Sequence, residues 1–276
     1  MPDAPREARV PVGVDPSRAS IARVYDAFLG GTDNYEIDRE VFRRVQSAAP
    51  EARDLALDNR AFLIRACRFI ASKTGIKQFL DCGSGLPTAE NVHQVVQRFD
   101  PEARVVYIDN DPVVLAHGRA LLEENAYTHF VAADIFEPEQ VLENAVVRKH
   151  IDFSEPVAFL QFGTLHHYEG SKEGPAGLMK RYIDALPTGS YVAISHFLDP
   201  ENEHSSVARH MEEHFRGSPM GSGTFRTKAE IEELFDGLEM VDPGVTLCAR
   251  WWPDGPELNH LSQAQECIAG GVGVKR

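Results

Sequence analysis

The sequence predicts an α/β fold: a doubly wound, mainly parallel sheet of seven strands, covered by helices and preceded by a helical N-terminal extension. Three observations carry this. Short β-like runs alternate with helical segments from Lys77 onwards. The first run leads into a loop holding Gly83 and Gly85, and each of the first three runs closes on an aspartate. Strands joined by crossover helices pair in parallel and need cover on both faces.

Residues 1–16 carry Pro2, Pro5, Pro11 and Pro16 and read as a loose arm. From Ser17, "SRASIARVYDAFLGGTDNYEIDREVFRRV" reads as two helices joined by a Gly30-Gly31 turn. "RDLALDNRAFLIRACRFIASKTG" follows as one long amphipathic helix, stopped by Gly75. The expected strands are then "KQFLDC", "ARVVYID", "YTHFVAA", "PVAFLQF" and "GSYVAISHF". Between them lie the expected helices "TAENVHQVVQRF", "PVVLAHGRALLEEN", "PEQVLENAVV" and "PAGLMKRYIDAL". Thr227 and Glu230 form a capping box for one more helix, and a strand pair closes the chain. The expected organisation is a single domain over residues 1–276, with 1–74 as extension and lid and 75–276 as core.

The formal net charge of −14 speaks against a phosphate-backbone binder, which shows a basic stripe, and favours a small-molecule partner over nucleic acid. Cys67, Cys82, Cys248 and Cys267 are widely spaced without a C-x-x-C pair, the usage of a reducing cytosol. The polar, proline-rich start lacks the apolar core of a secretory signal, and no apolar run approaches the roughly 18 residues of a membrane span. The expected location is cytoplasmic, with no membrane partner.

In a doubly wound sheet, ligands bind beyond the carboxyl ends of the strands. "FLDCGSGLPTAEN" is the first strand–loop–helix turn, where Gly83 and Gly85 leave backbone open to a ligand. A dinucleotide fingerprint would place glycine or alanine at position 88, where Thr88 stands, and Asp81 would repel a pyrophosphate. Asp81 points instead to a ligand carrying an amine or other cation. Asp109 closes the second strand, where a carboxylate accepts from both ribose hydroxyls. Asp111 and Pro112 cap and start the next helix, and Asp134 in "AADI" sits where it can accept from an adenine amino group.

"FLDCGSGLP", "VVYIDNDP" and "AADI" resemble, in order and spacing, the first three motifs of class I S-adenosylmethionine-dependent methyltransferases. More widely the chain is similar to a bacterial S-adenosyl methyltransferase family formerly described as a domain of unknown function. "ARVYDAFLGGTDNYEIDRE", "DNRAFLIRACR" and the closing "GGVGVKR" add to that resemblance. It implies a Rossmann-like methyltransferase sheet and S-adenosyl-L-methionine as cofactor. It puts Gly83 and Gly85 along the cofactor, Asp81 at its methionine amine, Asp109 at the ribose and Asp134 at the adenine, with Asn110 and Ile135 also among the cofactor-binding residues. For Asp33, Asn34 and Tyr35 the residues alone read as a helix–turn–helix scaffold with a capping Asp, while the resemblance implies a lid over the methionine end, the Tyr35 ring against the cofactor, with Asn59 and Arg60 in support. Pro87 departs from the pattern, which often has a further glycine there.

"FGTLHHYEG" follows the fourth strand, and His166 and His167 are the catalytic candidates, since a neutral imidazole suits a hydroxyl or amine about to be methylated. Packing beneath the loop is the structural alternative for either ring. His196 ends the fifth strand at the same edge. "HMEEH" (His210 to His214) matches an inverted zinc motif, but its charged surroundings read as a solvated helix face, and no metal is expected. The expected function is methyl transfer to a small-molecule acceptor. Two alternatives stand beside it: a catalytically silent cofactor-binding regulator, and a nicotinamide-dependent oxidoreductase, which Asp81 and the missing third glycine oppose.

Overall fold

Alternation of short apolar strands with crossover segments builds the expected sheet. In the computed structural model, which describes residues 14–87, 90–122, 125–170, 174–257 and 260–276, the strands run β1 Gln78–Cys82, β2 Arg104–Asp109, β3 Thr128–Ala132, β4 Ala158–Phe162, β5 Tyr191–Phe197, β6 Glu239–Met240, β7 Thr246–Leu247 and β8 Ile268–Val274. Most of the proline-rich arm and Thr88 lie outside the described residues. Sheet order is β3-β2-β1-β4-β5-β8-β6, parallel from β3 to β5, with β8 antiparallel to β5. Seven strands share that path, and β7 adds an eighth off it, also paired to β8. β6 and β7 are two pieces of one edge, parted by a turn at Pro243, which has no N–H to give a ladder.

The helices are α1 Ile21–Leu29, α2 Glu36–Ala48, α3 Ala52–Lys73, α4 Val92–Val96, α5 Pro112–Leu122, α6 Pro138–Leu142, α7 Ala145–His150, α8 Gly174–Ala185, α9 Ser205–Arg216 and α10 Lys228–Glu232. α1 starts on Ser20, whose Oγ accepts from Arg23 N at 3.2 Å, and ends on Gly30 in the left-handed region. Two segments differ from expectation. The helix expected from Thr88 begins only at Val92, because Glu90 is left-handed and Asn91 with Gln94 forms the capping box. The segment after Pro138 is two helices, because the Asn144 side chain accepts from Val146 N and starts a second one.

The strand period of two divides the core. Phe79 and Val105 face a layer holding Val24, Phe28, Phe62 and Ile70 from α1 and α3, while Leu80 and Val106 face Tyr182 and Ile183 of α8. α3 is tied to the far edge by buried Arg65, which donates to the carbonyls of Trp251 and Cys248. The N-terminal helices therefore roof the carboxyl ends of the strands, and they do so by sharing the core of one sheet face.

Candidate functional site

A cavity of about 490 Å³ opens where β1 and β4 part, at the point where strand order reverses. Asp81, Gly83, Gly85, Asp109, Asn110, Asp134 and Ile135 all line it, as do His166 and His167. α1 and α3 close the roof through Tyr25, Phe28, Leu55, Asn59 and Arg60.

Asp81 is 4 % exposed, and among the described residues no N–H or O–H donates to its carboxylate. Burial lifts it from the usual carboxylate range to about 7; Arg60 draws it down and Asp109 pushes it up. Such a group is costly unless a cation or donor meets it. Asp109 differs. Its Oδ2 accepts from Gly85 N and its Oδ1 from Asp111 N, both at 2.9 Å, so it shapes the glycine loop before any ligand arrives. Burial still holds it at about 6. Asp134 turns one oxygen to Phe136 N at 2.9 Å, and Asp111 caps α5 through Val113 N at 2.7 Å.

The two loop glycines are bare for different reasons. A Cβ on Gly83 would lie 2.3 Å from Thr164 Cγ2, at a φ of +83°. A Cβ on Gly85 would meet nothing within 4 Å. Gly83 thus lets the β4 loop pack against β1, and Gly85 is the position that leaves room for a ligand. Ser84 Oγ, between them, is buried without a partner among the described residues.

The residues expected as a lid lie off the cavity. Asp33, Asn34 and Tyr35 are not among the residues lining the cavity. Buried Asp26 gathers the turn instead, accepting from Asp33 N at 3.0 Å and Asn34 Nδ2 at 2.7 Å. Gly31 is needed there because a Cβ would sit 2.0 Å from Asp26 Oδ1. Tyr35 packs with Leu86, Val113 and Val114, its ring beneath the Arg23 guanidinium at 5.1 Å. Arg23 is in turn held 3.0 Å from the wholly buried Asp38, which also accepts from Ser20 N and Tyr35 N. Tyr35→Ala should therefore lower the melting temperature while S-adenosylhomocysteine affinity changes by less than about twofold, since a partly buried aromatic is lost from a small core rather than from the site. Paired thermal melts and calorimetry check this; a tenfold loss of affinity would restore the lid reading.

The tyrosine that does reach the cavity is Tyr25. Its hydroxyl donates to Ala56 O at 3.1 Å and accepts from Asn59 Nδ2 at 3.0 Å. Asn59 Oδ1 accepts from Ser195 Oγ, which accepts from Gly163 N at 2.9 Å. One chain of bonds thus joins α1, α3, β5 and the loop after β4. Asn59→Ala would leave buried partners unmatched and should cost about 1–3 kcal/mol, read by denaturant titration. An unchanged midpoint would show that water replaces the amide. Asn59 was expected only as support, while Tyr25 and Ser195 were not singled out; nothing in their local pattern marks them, because the chain joins residues from separate elements.

His166 is 2 % exposed, stacked on Phe197 at 3.5 Å, with Nδ1 buried and, among the described residues, unpartnered. His167 bonds through Nδ1 to Ser222 Oγ at 2.9 Å. Burial keeps both neutral, His167 at about 3 and His166 well below its usual range. His196 is buried and off the cavity, bonded to Phe197 O and to the Arg226 guanidinium, so its role is structural. In α9 the buried face is Ala208, Met211 and Phe215, and His214 Nδ1 lies 2.8 Å from His210 O of its own helix. The four cysteines are buried and unpaired.

The sheet order, the switch-point cavity and the aspartates on β1, β2 and after β3 define a Rossmann-like methyltransferase fold. The S-adenosyl methyltransferase family model matches residues 7–276, and the chain belongs to that family. A crystal structure of a candidate methyltransferase from Thermobifida fusca YX is 41% identical, covers 96% of this chain and 98% of its own, and has a TM-score of 0.90. A DUF574 family protein from Streptomyces avermitilis MA-4680 is 33% identical over 95% of this chain and 99% of its own, at a TM-score of 0.88. The mitomycin 7-O-methyltransferase MmcR is similar in fold alone, 16% identical with a TM-score of 0.51, covering 96% of this chain and 74% of its own. No protein with a curated function matches the sequence. No helix among the described residues is long and apolar enough to cross a membrane.

Proposed function

We propose that this chain binds S-adenosyl-L-methionine in the acid-rimmed cavity and transfers its methyl group to a small-molecule acceptor in the cytoplasm. The observation that carries the reading is Asp81: a buried carboxylate at the end of β1, facing the cavity without a donor among the described residues. An α-ammonium group supplies what it lacks. Asp109, already turned toward Gly85, would hold the ribose hydroxyls; Asp134, beside Ile135, would meet the adenine. Ser84 Oγ, without a partner among the described residues, adds a polar atom to the same floor.

The bound cofactor supplies an activated methyl group on a sulfonium. The chain's own work is to fix donor and acceptor in line and to exclude water. The α1–α3 roof performs the second task, since Phe28, Leu55 and Leu63 close the cavity over the strand ends. His166 and His167 face the cavity from the loop after β4, as neutral bases near the acceptor. Among the described residues, four aspartates and a single arginine on the lining offer no path for a phosphate backbone, which favours a small acceptor over nucleic acid.

S-adenosylmethionine or S-adenosylhomocysteine should bind with a dissociation constant on the order of 1 μM, about −8 kcal/mol. NAD should bind far more weakly, because Asp81 repels a pyrophosphate and α4 begins only at Val92, beyond the glycine loop. Calorimetry with the three ligands tests this, and NAD binding tighter than both others would overturn the reading.

A further inference from the structure

A second cavity, of about 570 Å³, adjoins the first and shares three lining residues with it: Phe136, His167 and Met220. Its remaining lining includes Glu137, Tyr168, Glu169 and Arg181, so it is the more polar of the two. The inner cavity changes character toward this junction. Away from the aspartates its walls are Phe28, Phe197, Met211, Phe215 and Met220. Phe197 lies at the centre of this wall, stacked 3.5 Å from His166, 4.7 Å from Phe225 and 5.4 Å from Phe215.

Resting on the cofactor reading above, we propose that the acceptor is an uncharged, largely apolar hydroxyl compound, phenol-like in shape. Its reacting oxygen meets His167 at the junction, and its polar remainder points into the outer cavity.

Three observations lead there. First, Arg60 is the one lysine or arginine on the inner lining among the described residues, and its charge acts on Asp81 at the cofactor end. A carboxylate or phosphate acceptor would be buried against aromatic walls without a counter-ion, since Arg181 of the outer cavity is already paired with Glu139. Second, the other polar groups near the aromatic wall are committed. Asn59 and Tyr25 bond to each other, and the Thr164 hydroxyl donates to Gln161 Oε1. The imidazoles remain. Third, Ser222 Oγ engages Nδ1 of His167 and so sets the ring; with Nδ1–H donating, Nε2 keeps its lone pair for a hydroxyl. Burial holds that ring neutral and lowers it to about 3, so Nε2 is a weak base that takes the proton only as the new O–C bond forms and acidifies the hydroxyl. In the transfer, the hydroxyl proton passes to His167 Nε2 and an oxygen lone pair forms the new O–C bond. The pair of the breaking C–S bond stays on sulfur, so a cationic donor and a neutral acceptor leave a neutral thioether, a methyl ether and one proton.

The test uses the full chain saturated with S-adenosylhomocysteine, whose own binding is measured first. Failure at that step removes the cofactor reading; the acceptor class is then judged on the loaded protein. 2-Naphthol, 2-naphthoate and 2-naphthylamine are titrated calorimetrically, and turnover is followed with S-adenosylmethionine as release of S-adenosylhomocysteine. The expected result is binding and methylation of 2-naphthol, with 2-naphthoate at least tenfold weaker and 2-naphthylamine not methylated. Met220→Trp, which fills the junction, should weaken 2-naphthol at least tenfold, its S-adenosylhomocysteine affinity serving as the check that it is folded. The proposal is overturned if 2-naphthoate binds as well as 2-naphthol, if the amine is the methylated probe, if 2-naphthol leaves the loaded protein unbound, or if Met220→Trp changes nothing.

Discussion

Replacing Asp81 by Asn is expected to lower S-adenosylmethionine affinity by about 3–5 kcal/mol, a loss of some hundredfold or more, because it strands a buried ammonium group without its counter-charge. The pH dependence makes the test specific. The wild-type carboxyl, lifted to about 7 by burial, holds its proton in the ligand-free protein at pH 6. An ammonium ligand needs the ionised form, so wild-type affinity should fall as pH drops through 7, by up to about tenfold per unit. On the alkaline side the ligand's α-amino group loses its own proton near pH 8, which bounds the window. The Asn variant should show little of the acid-side slope. Stability runs the other way. A carboxyl raised from 3.8 to about 7 stabilises the ligand-free fold fully below pH 3.8 and loses that contribution as pH rises through 7. Ligand-free Asp81→Asn should therefore melt above wild type at pH 8 and lose the advantage toward pH 4. Asp109, raised to about 6, contributes with the same sign in both proteins. Calorimetry between pH 5.5 and 8.5 with parallel thermal melts decides the matter; an Asn variant with wild-type affinity at pH 8 would remove Asp81 from the site.

Gly83→Ala is expected to destabilise the fold itself by about 2–5 kcal/mol. The left-handed backbone costs an alanine about 1–2 kcal/mol, and overpacking adds about 1–3. The Cβ would press on Thr164 Cγ2 at 2.3 Å and Ile135 Cδ1 at 3.1 Å, in a seam between strands that cannot part without disturbing the sheet. A second substitution separates the two terms. Gly83→Ala with Thr164→Ser removes the clashing methyl and should recover the packing part but not the backbone part. Gly85→Ala makes the contrast: its φ is +64° and its Cβ meets open space, so it should spend its effect on cofactor affinity rather than on packing. Denaturant midpoints for the four proteins, with ligand affinities beside them, measure both quantities. Equal loss of stability in the two single glycine variants would mean that backbone strain alone decides, and that the Thr164 contact is relaxed away.

What was legible in the sequence was whatever depends on neighbours along the chain. Strand and helix alternation fixes the layer architecture, because each element must bury its apolar face locally by period. The three aspartates were legible for the same reason: in a parallel sheet the end of each strand is placed at one edge by topology alone. Capping signals at Thr227 and Gly75 fall in the same class, being contacts within one turn. What the tertiary structure decided was every assignment that needs two distant segments at once. The turn at Asp33–Tyr35 has the composition of a ligand loop, but Asp26 and the α5 side of the molecule capture it, and Tyr25 takes the place over the cavity. Gly83 and Gly85 read alike in sequence, yet one yields to Thr164 and the other to open space. His166, His167 and His196 all follow strands to the same edge; only packing separates two rings on the cavity from one locked to Arg226. The reason is physical. Sequence period reports which face of an element is buried, while the identity of the group it is buried against is set by long-range packing that no local pattern encodes.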